Sequence, residues 1–163
     1  MNKEKSEAQL PDRAEPTLFQ SFSFAASCRT YIEHRLIPKN AAFTRRNLGF
    51  NELRLVGELL LTNATPPQQT LALRCELNRT TVVHSIDRLE KAGLVKRSPS
   101  EKDRRVNMMI SLTDNGRRIG TEFLDMVEKF QSEIAFKYFN GDDSVVFRRL
   151  LEKGCRDAFE VLL

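Results

Sequence analysis

The most constraining stretch of this chain runs from Pro67 to Leu112, where the apolar period switches from helical to alternating across one glycine. Before Gly93, Leu71 and Ala72 mark a short helix over 67–75, and Glu76-Leu77 makes a tight turn. Val82, Ile86 and Leu89 then fall at i, i+4 and i+7 of a second helix over 79–92, one buried stripe. Asn78 has the side chain to cap this helix, and Gly93 stands where a left-handed residue ends one. After Gly93, residues 94–97 read as a short strand. Met108, Ile110 and Leu112 alternate with Asn107, Met109 and Ser111, as a half-buried strand requires. Residues 98–105 between the strands form a charged turn. Two close helices followed at once by a two-stranded hairpin make a winged helix-turn-helix.

The flanks are helical. Leu18, Phe22, Ala25, Ile32 and Leu36 predict a helix over 17–37, stopped by Pro38, and a loop over 39–47. Leu55, Val56, Leu59 and Leu60 predict another over 51–62. Thr65 is the expected cap of the 67–75 helix, with a proline at its first position. Thr113 should cap a long helix with the stripe Ile119, Phe123, Val127, Phe130 and Ile134. A break at 140–144 precedes a last helix over 144–162, which carries Phe147, Leu150, Leu151, Cys155, Ala158, Phe159 and Leu162. The fold class is therefore mainly α with a small β-wing. Residues 1–16 are polar with two prolines and are expected to be a flexible tail, followed by a single domain over 17–163. The terminal helices, 17–47 and 117–163, carry more apolar surface than the winged lobe at 48–116 can cover. A second copy of the chain is the expected cover, in a homodimer.

Charge and cysteines narrow the function. Residues 70–118 hold 11 Lys/Arg against 6 Asp/Glu, whereas the remainder holds 15 against 16, so the basic excess sits in the winged segment. A focused positive field favours nucleic acid, since neutralised phosphates release condensed counterions. Cys28, Cys75 and Cys155 match neither a disulfide framework nor a metal spacing. No nucleotide loop, nucleophile elbow or metal constellation is present, which leaves no case for an enzyme or for a cofactor. No apolar run is long enough to span a bilayer, so the expected location is cytoplasmic, with no membrane partner.

A recognition helix enters the major groove by its N-terminal end and must offer hydrogen-bonding and methyl-bearing groups there. Arg79, Thr80 and Thr81 supply a guanidinium, hydroxyls and methyls, with Val83 and His84 one turn on. At the wing tip, an arginine can reach a narrow minor groove, and Asp103 beside Arg104 and Arg105 can hold a guanidinium in place. A winged helix that docks on protein is the alternative, and the outward Arg79-Thr80-Thr81 disfavours it.

The run from Leu71 to Arg97 resembles the helix-turn-helix of the MarR family without a gap. Asp87-Arg88-Leu89-Glu90, Gly93-Leu94-Val95 with Arg97, Asp103-Arg104-Arg105, and Leu112-Thr113-Asp114-Asn115-Gly116 carry the likeness, over about 48–116. The resemblance implies a dimeric transcriptional regulator, most often a repressor, reading a pseudo-palindromic operator in double-stranded DNA. By position, Arg79, Thr80, Thr81, Val83 and His84 would face the major groove. Arg105, held by Asp103, would enter the minor groove, and Arg97 and Arg104 would support the wing or touch phosphate. Asp87 and Arg88 would be structural. Two departures stand out: residues 105–112 run one residue longer than the pattern, which predicts a bulge, and Cys75-Glu76 replace a common leucine-glycine.

Members of the family often respond to small aromatic acids, others to cysteine oxidation. Phe24, Tyr31, Phe43 and Phe50, with Arg29, Arg45 or Arg46, are the candidates for an aromatic carboxylate site, of which Phe24, Tyr31, Arg45 and Phe50 are the first choice. Cys28 beside Arg29 is the candidate redox sensor, because a neighbouring cation lowers a thiol's pKa.

Overall fold

The structure is a computed structural model that describes the backbone of residues 18–99 and 108–138 and the side chains of residues 25–99 and 108–134. Among them are six α-helices and one two-stranded antiparallel sheet. The expected tail at 1–16 and the expected final helix over 144–162 lie outside the described residues.

Helix α1 spans Leu18–Tyr31, then widens into a π-helical turn at Ile32–Leu36 and tightens into a 3-10 turn at Ile37–Lys39. Pro38 therefore does not stop the helix at 37, as expected, but reshapes it. A proline has no N–H to give to an earlier carbonyl, and the first turn of a new helical segment is where that loss is harmless. The residues expected to be a loop contain a short helix, α2 (Ala41–Thr44). Asn40 caps it, its Oδ1 accepting the Ala42 and Phe43 N–H groups at 2.8 and 3.2 Å.

Helix α3 (Phe50–Thr62) and helix α6 (Asp114–Tyr138) form the spine of the core. Their close approach needs small residues: a Cβ at Gly120 would lie 3.0 Å from Leu60 and 3.1 Å from Val56. Leu53, Leu55, Val56, Leu59, Ile119 and Phe123 are buried between these helices and their neighbours. Helix α6 is continuous from the winged lobe into the expected dimerisation region, and of its stripe Ile119, Phe123 and Phe130 are buried while Val127 and Ile134 are half-buried. Ala25, expected on the stripe of α1, is exposed.

The two helices of the motif are α4 (Gln68–Arg74) and α5 (Arg79–Lys91). Pro67, not Thr65, is the cap residue of α4, and Thr65 is exposed. The proline pair before it does unexpected work. Pro66 accepts the Ile110 N–H at 3.0 Å and Pro67 bridges Met109, so the chain before α4 lies along the hairpin like a third strand. Prolines can do this on a sheet edge, where they accept but need not donate. The hairpin itself joins β1 (Val95–Pro99) to β2 (Met108–Leu112) in the register Val95↔Leu112 to Pro99↔Met108. These five pairs run without interruption, so the expected bulge is not at 108–112. Ile110 is fully buried, Leu112 half-buried and Met108 exposed, so the expected inward alternation fades toward the tip.

Candidate nucleic-acid interface

The turn between α4 and α5 is built by residues whose roles differ from their frequency in such turns. Cys75 is buried and fills a core position. Desolvation pushes its thiol up to about 11, a poor nucleophile. Glu76 carries a left-handed backbone, with φ of 47°, the conformation a glycine would adopt at no steric cost. Asn78 then starts α5 as expected, its Oδ1 accepting the Thr81 N–H at 2.7 Å. Gly93, with φ of 68°, follows the helix end.

Helix α5 buries Val82, Ser85, Ile86 and Leu89. Helical spacing puts Thr80 and His84 on the opposite side, one turn apart, with Arg79 and Val83 beside them. All four are exposed, and Thr81 is half-buried at the flank. The sequence-predicted major-groove residues therefore share one outward surface at the N-terminal half of a capped helix. Uncapped N–H groups there add a partial positive charge toward an approaching phosphate.

Each flank of α5 is tied down by charge. On one side Arg97, from β1, donates from Nη2 to Asp87 Oδ1 at 2.5 Å and from Nη1 to Glu90 Oε2 at 2.6 Å. Its side chain is 19% exposed, so this guanidinium is engaged by the protein, joining wing to helix. Of its two expected roles, support of the wing is the one with geometry behind it, and phosphate contact has none. On the other flank Arg88 donates to the Asn47 carbonyl and lies 3.2 Å from Glu52 Oε1. Glu52 is buried at 4% exposure. Its Oε1 also accepts from Ser85 Oγ at 2.9 Å, and its Oε2 accepts the Gly49 N–H at 3.0 Å. The expectation that Asp87 and Arg88 are structural agrees with these contacts. Sequence reasoning missed Glu52 and Ser85. Glu52 sits three residues after Gly49, at the helix position where a carboxylate reaches back to the cap, and that spacing was the available signal.

Asp103, Arg104 and Arg105 lie outside the described residues. The base of the hairpin, however, is locked onto α6. Thr113 Oγ1 accepts the Gly116 N–H at 3.0 Å, the expected cap, and also donates to the Gly93 carbonyl at 2.7 Å. Its N–H donates to the Leu94 carbonyl at 3.0 Å. One threonine thus joins the end of α5, the start of the wing and the first turn of α6.

Of the expected aromatic-acid residues, Tyr31, Phe43 and Phe50 pack against other rings. Tyr31 stacks on Phe130, with centroids 5.0 Å apart. Phe50 packs edge-on against Phe123 and lies under the Arg29 guanidinium, 5.1 Å away. Phe43 is fully buried, Arg45 is exposed at the end of α2, and the Phe24 side chain is outside the described residues. A cavity of about 260 Å³ lies elsewhere, between the π-turn region and α6, lined by Leu36, Lys39, Asn40, Met126, Lys129, Phe130 and Glu133. Cys28 also departs from expectation. Burial pushes its thiol up, and the adjacent Arg29 is directed to Glu33 and the Phe50 ring instead. Among the described residues no cluster of His, Cys, Asp or Glu could hold a metal ion, and no helix is long and apolar enough to cross a membrane.

Comparison with known proteins accords with this geometry. The model of the MarR family matches residues 58–106. No curated protein matches the chain significantly. Among solved structures, MarR superposes with a TM-score of 0.72 at 20% identity, covering 94% of this chain and 97% of MarR. A MarR family regulator from Listeria monocytogenes, solved with a 26mer DNA, gives 0.66 at 18% identity, covering 91% of this chain and 92% of its own. NadR in complex with 4-hydroxyphenylacetate gives 0.63 at 22% identity, covering 90% and 98%. Residues 58–106 match the MarR family model, in a chain whose fold is the winged helix seen in the MarR structure.

Proposed function

We propose that this chain is a sequence-specific, duplex-DNA-binding regulator of transcription. The observation that carries the proposal is the outward surface of α5. Arg79, Thr80, Val83 and His84 are exposed together at the capped end of a helix whose two flanks are held by ion pairs. A side-chain set able to donate, accept and touch thymine methyls is what a major groove can distinguish. Arg104 and Arg105, with Asp103 beside them, are proposed for the minor groove. The protein acts as a homodimer whose two recognition helices meet half-sites about one helical turn apart. In support, a structural neighbour was solved with DNA.

The regulator is proposed to be a repressor released by a small aromatic carboxylate. The cavity beside α6 supports this, since Lys39 and Lys129 can pair with a carboxylate and the Phe130 ring offers an apolar wall. It lies next to α2, whose cap Asn40 donates to Glu122 of α6 at 2.7 Å, so a ligand there bears on how the N-terminal helices meet the lobe.

Selection from a random duplex pool, followed by mobility shift, tests the DNA proposal. One enriched pseudo-palindrome is expected, bound with a steep salt dependence. Thr80→Ala and His84→Ala are expected to weaken that duplex by about tenfold each while leaving scrambled duplex unchanged. Equal binding to every sequence would refute sequence-specific recognition.

A further inference from the structure

Helix α5 is held on its two flanks by different means, and only one of them is local. The Arg97 pairs join neighbouring elements through half-exposed carboxylates. The other flank is a network centred on a buried charge. Glu52 receives the Gly49 N–H, the Ser85 hydroxyl and the Arg88 guanidinium, and Arg88 also reaches the Asn47 carbonyl. Asn47 sits in the left-handed region, with φ of 51°, so its carbonyl is presented by a turn that only a few residue types tolerate.

We propose that Glu52 is a positioning residue that sets the roll of the recognition helix, with Ser85 and Arg88 as its two grips. Ser85 and Arg88 are three residues apart, one turn along the same flank of α5. Both contact the same carboxylate oxygen, so rotation of the helix about its own axis would break these contacts. A roll of one residue position, about 100°, would replace Thr80 and His84 on the outward side by other side chains. The carboxylate is anchored by the backbone of its own helix start, so it can neither swing nor leave without uncapping α3. Arg88 in this arrangement serves the helix and not the phosphate backbone, although its side chain is 48% exposed. Glu52 itself touches no DNA. This inference rests on the DNA-binding proposal above and concerns how that surface is aimed.

The test uses the full chain with two duplexes, the sequence selected by the wild type and a scramble of equal length. The variants are Glu52→Gln, Ser85→Ala and Arg88→Gln. Glu52→Gln keeps the shape: its one oxygen can accept from the Gly49 N–H while its NH2 donates to the Ser85 hydroxyl, and it offers Arg88 neither charge nor acceptor. A positioning role predicts that each variant lowers the ratio of selected to scrambled affinity by about tenfold, through mis-aimed base contacts. The slope of log affinity against log salt stays that of the wild type, and Arg88→Lys restores part of the ratio. A slope reduced by about 0.9 in Arg88→Gln would mean a lost phosphate contact and would overturn the inference alone. A melting temperature lowered by Glu52→Gln with an unchanged affinity ratio would also overturn it, leaving Glu52 as a support of α3. Failure of the wild type to bind any duplex would remove the DNA proposal itself, and this inference with it.

Discussion

Gly116 has the least room for a side chain among the described glycines. A Cβ built there would lie 2.0 Å from the Leu94 carbonyl oxygen and 3.1 Å from Leu112 Cδ2. The oxygen cannot retreat freely. It accepts from the Thr113 N–H at 3.0 Å, and the Leu94 N–H is itself bound to the Leu89 carbonyl at 2.9 Å. Gly116→Ala must therefore push the first turn of α6 away from the wing by roughly 1 Å, the distance needed to bring the contact near 3 Å. Overpacking of this kind costs about 1–3 kcal/mol. Weakening the Thr113–Leu94 bond adds about 1 kcal/mol. The better helix propensity of alanine returns at most about 1 kcal/mol. The net loss is about 2 kcal/mol, which for a chain of this size lowers the melting temperature by roughly 4–8 °C. Circular dichroism melts at fixed protein concentration measure it, with Gly93→Ala as control. Gly93 has open space for a Cβ, and only its φ of 68° resists, at about 1–2 kcal/mol. If Gly116→Ala melted at or above the wild type, the close contact between α6 and Leu94 would be wrong, and the physical account of the Leu112–Gly116 motif with it.

Four further outcomes are expected. Glu76→Gly should raise stability by up to about 1 kcal/mol in urea melts, since relief of the left-handed strain exceeds the added freedom of the unfolded chain. Arg97→Ala should cost about 1 kcal/mol, two partly exposed pairs being lost, and should weaken selected and scrambled duplex alike through a looser wing. Cys75 should resist thiol reagents in the native protein. Its pKa is raised from 9.0 to about 11, so its contribution to stability is complete below pH 9 and is lost as pH rises toward 11. Cys75→Ala should then lose less stability than the wild type over that interval. A small aromatic carboxylate should raise the melting temperature of the wild type and fail to do so in Lys39→Ala/Lys129→Ala.

The winged helix-turn-helix was legible because each of its parts is encoded locally. The spacing of Val82, Ile86 and Leu89 lies within one helix, the Asn78 and Thr113 caps reach three residues along the chain, and Gly93 is set by its own backbone. What escaped was set by partners distant in sequence or by backbone geometry without a side-chain period. Helix α2 is a single turn, too short to show a stripe, and only Asn40 announces it. At Pro66-Pro67 the sequence predicts only a helix start, while the structure also uses the carbonyl of Pro66 and the extended backbone beside it. The π-turn at Ile32–Leu36 follows from Pro38, yet nothing in the identity of those five residues distinguishes it from an ordinary helix.

The same division governs the surface proposed to face DNA. Its outward residues could be named from the period of α5, because whatever is not on the core stripe must face away. How that surface is aimed is a different matter, since it depends on Glu52 meeting Ser85 across 33 residues of sequence. Ser85 was nevertheless marked: a hydroxyl between Val82, Ile86 and Leu89 on a buried side needs a partner, because an unsatisfied polar group costs about 1–3 kcal/mol there. Glu52, amid Leu53, Leu55 and Val56, needs one for the same reason. Two polar residues on two apolar faces meet, and the Gly49 N–H and Arg88 complete the set around Glu52. Charge counting misleads here in a complementary way. Arg88 and Arg97 contribute to the basic excess of the winged segment, yet both guanidiniums are turned onto carboxylates of the protein. In the proposed complex the field offered to DNA comes from residues such as Arg79, which is exposed at the N-terminal end of the helix.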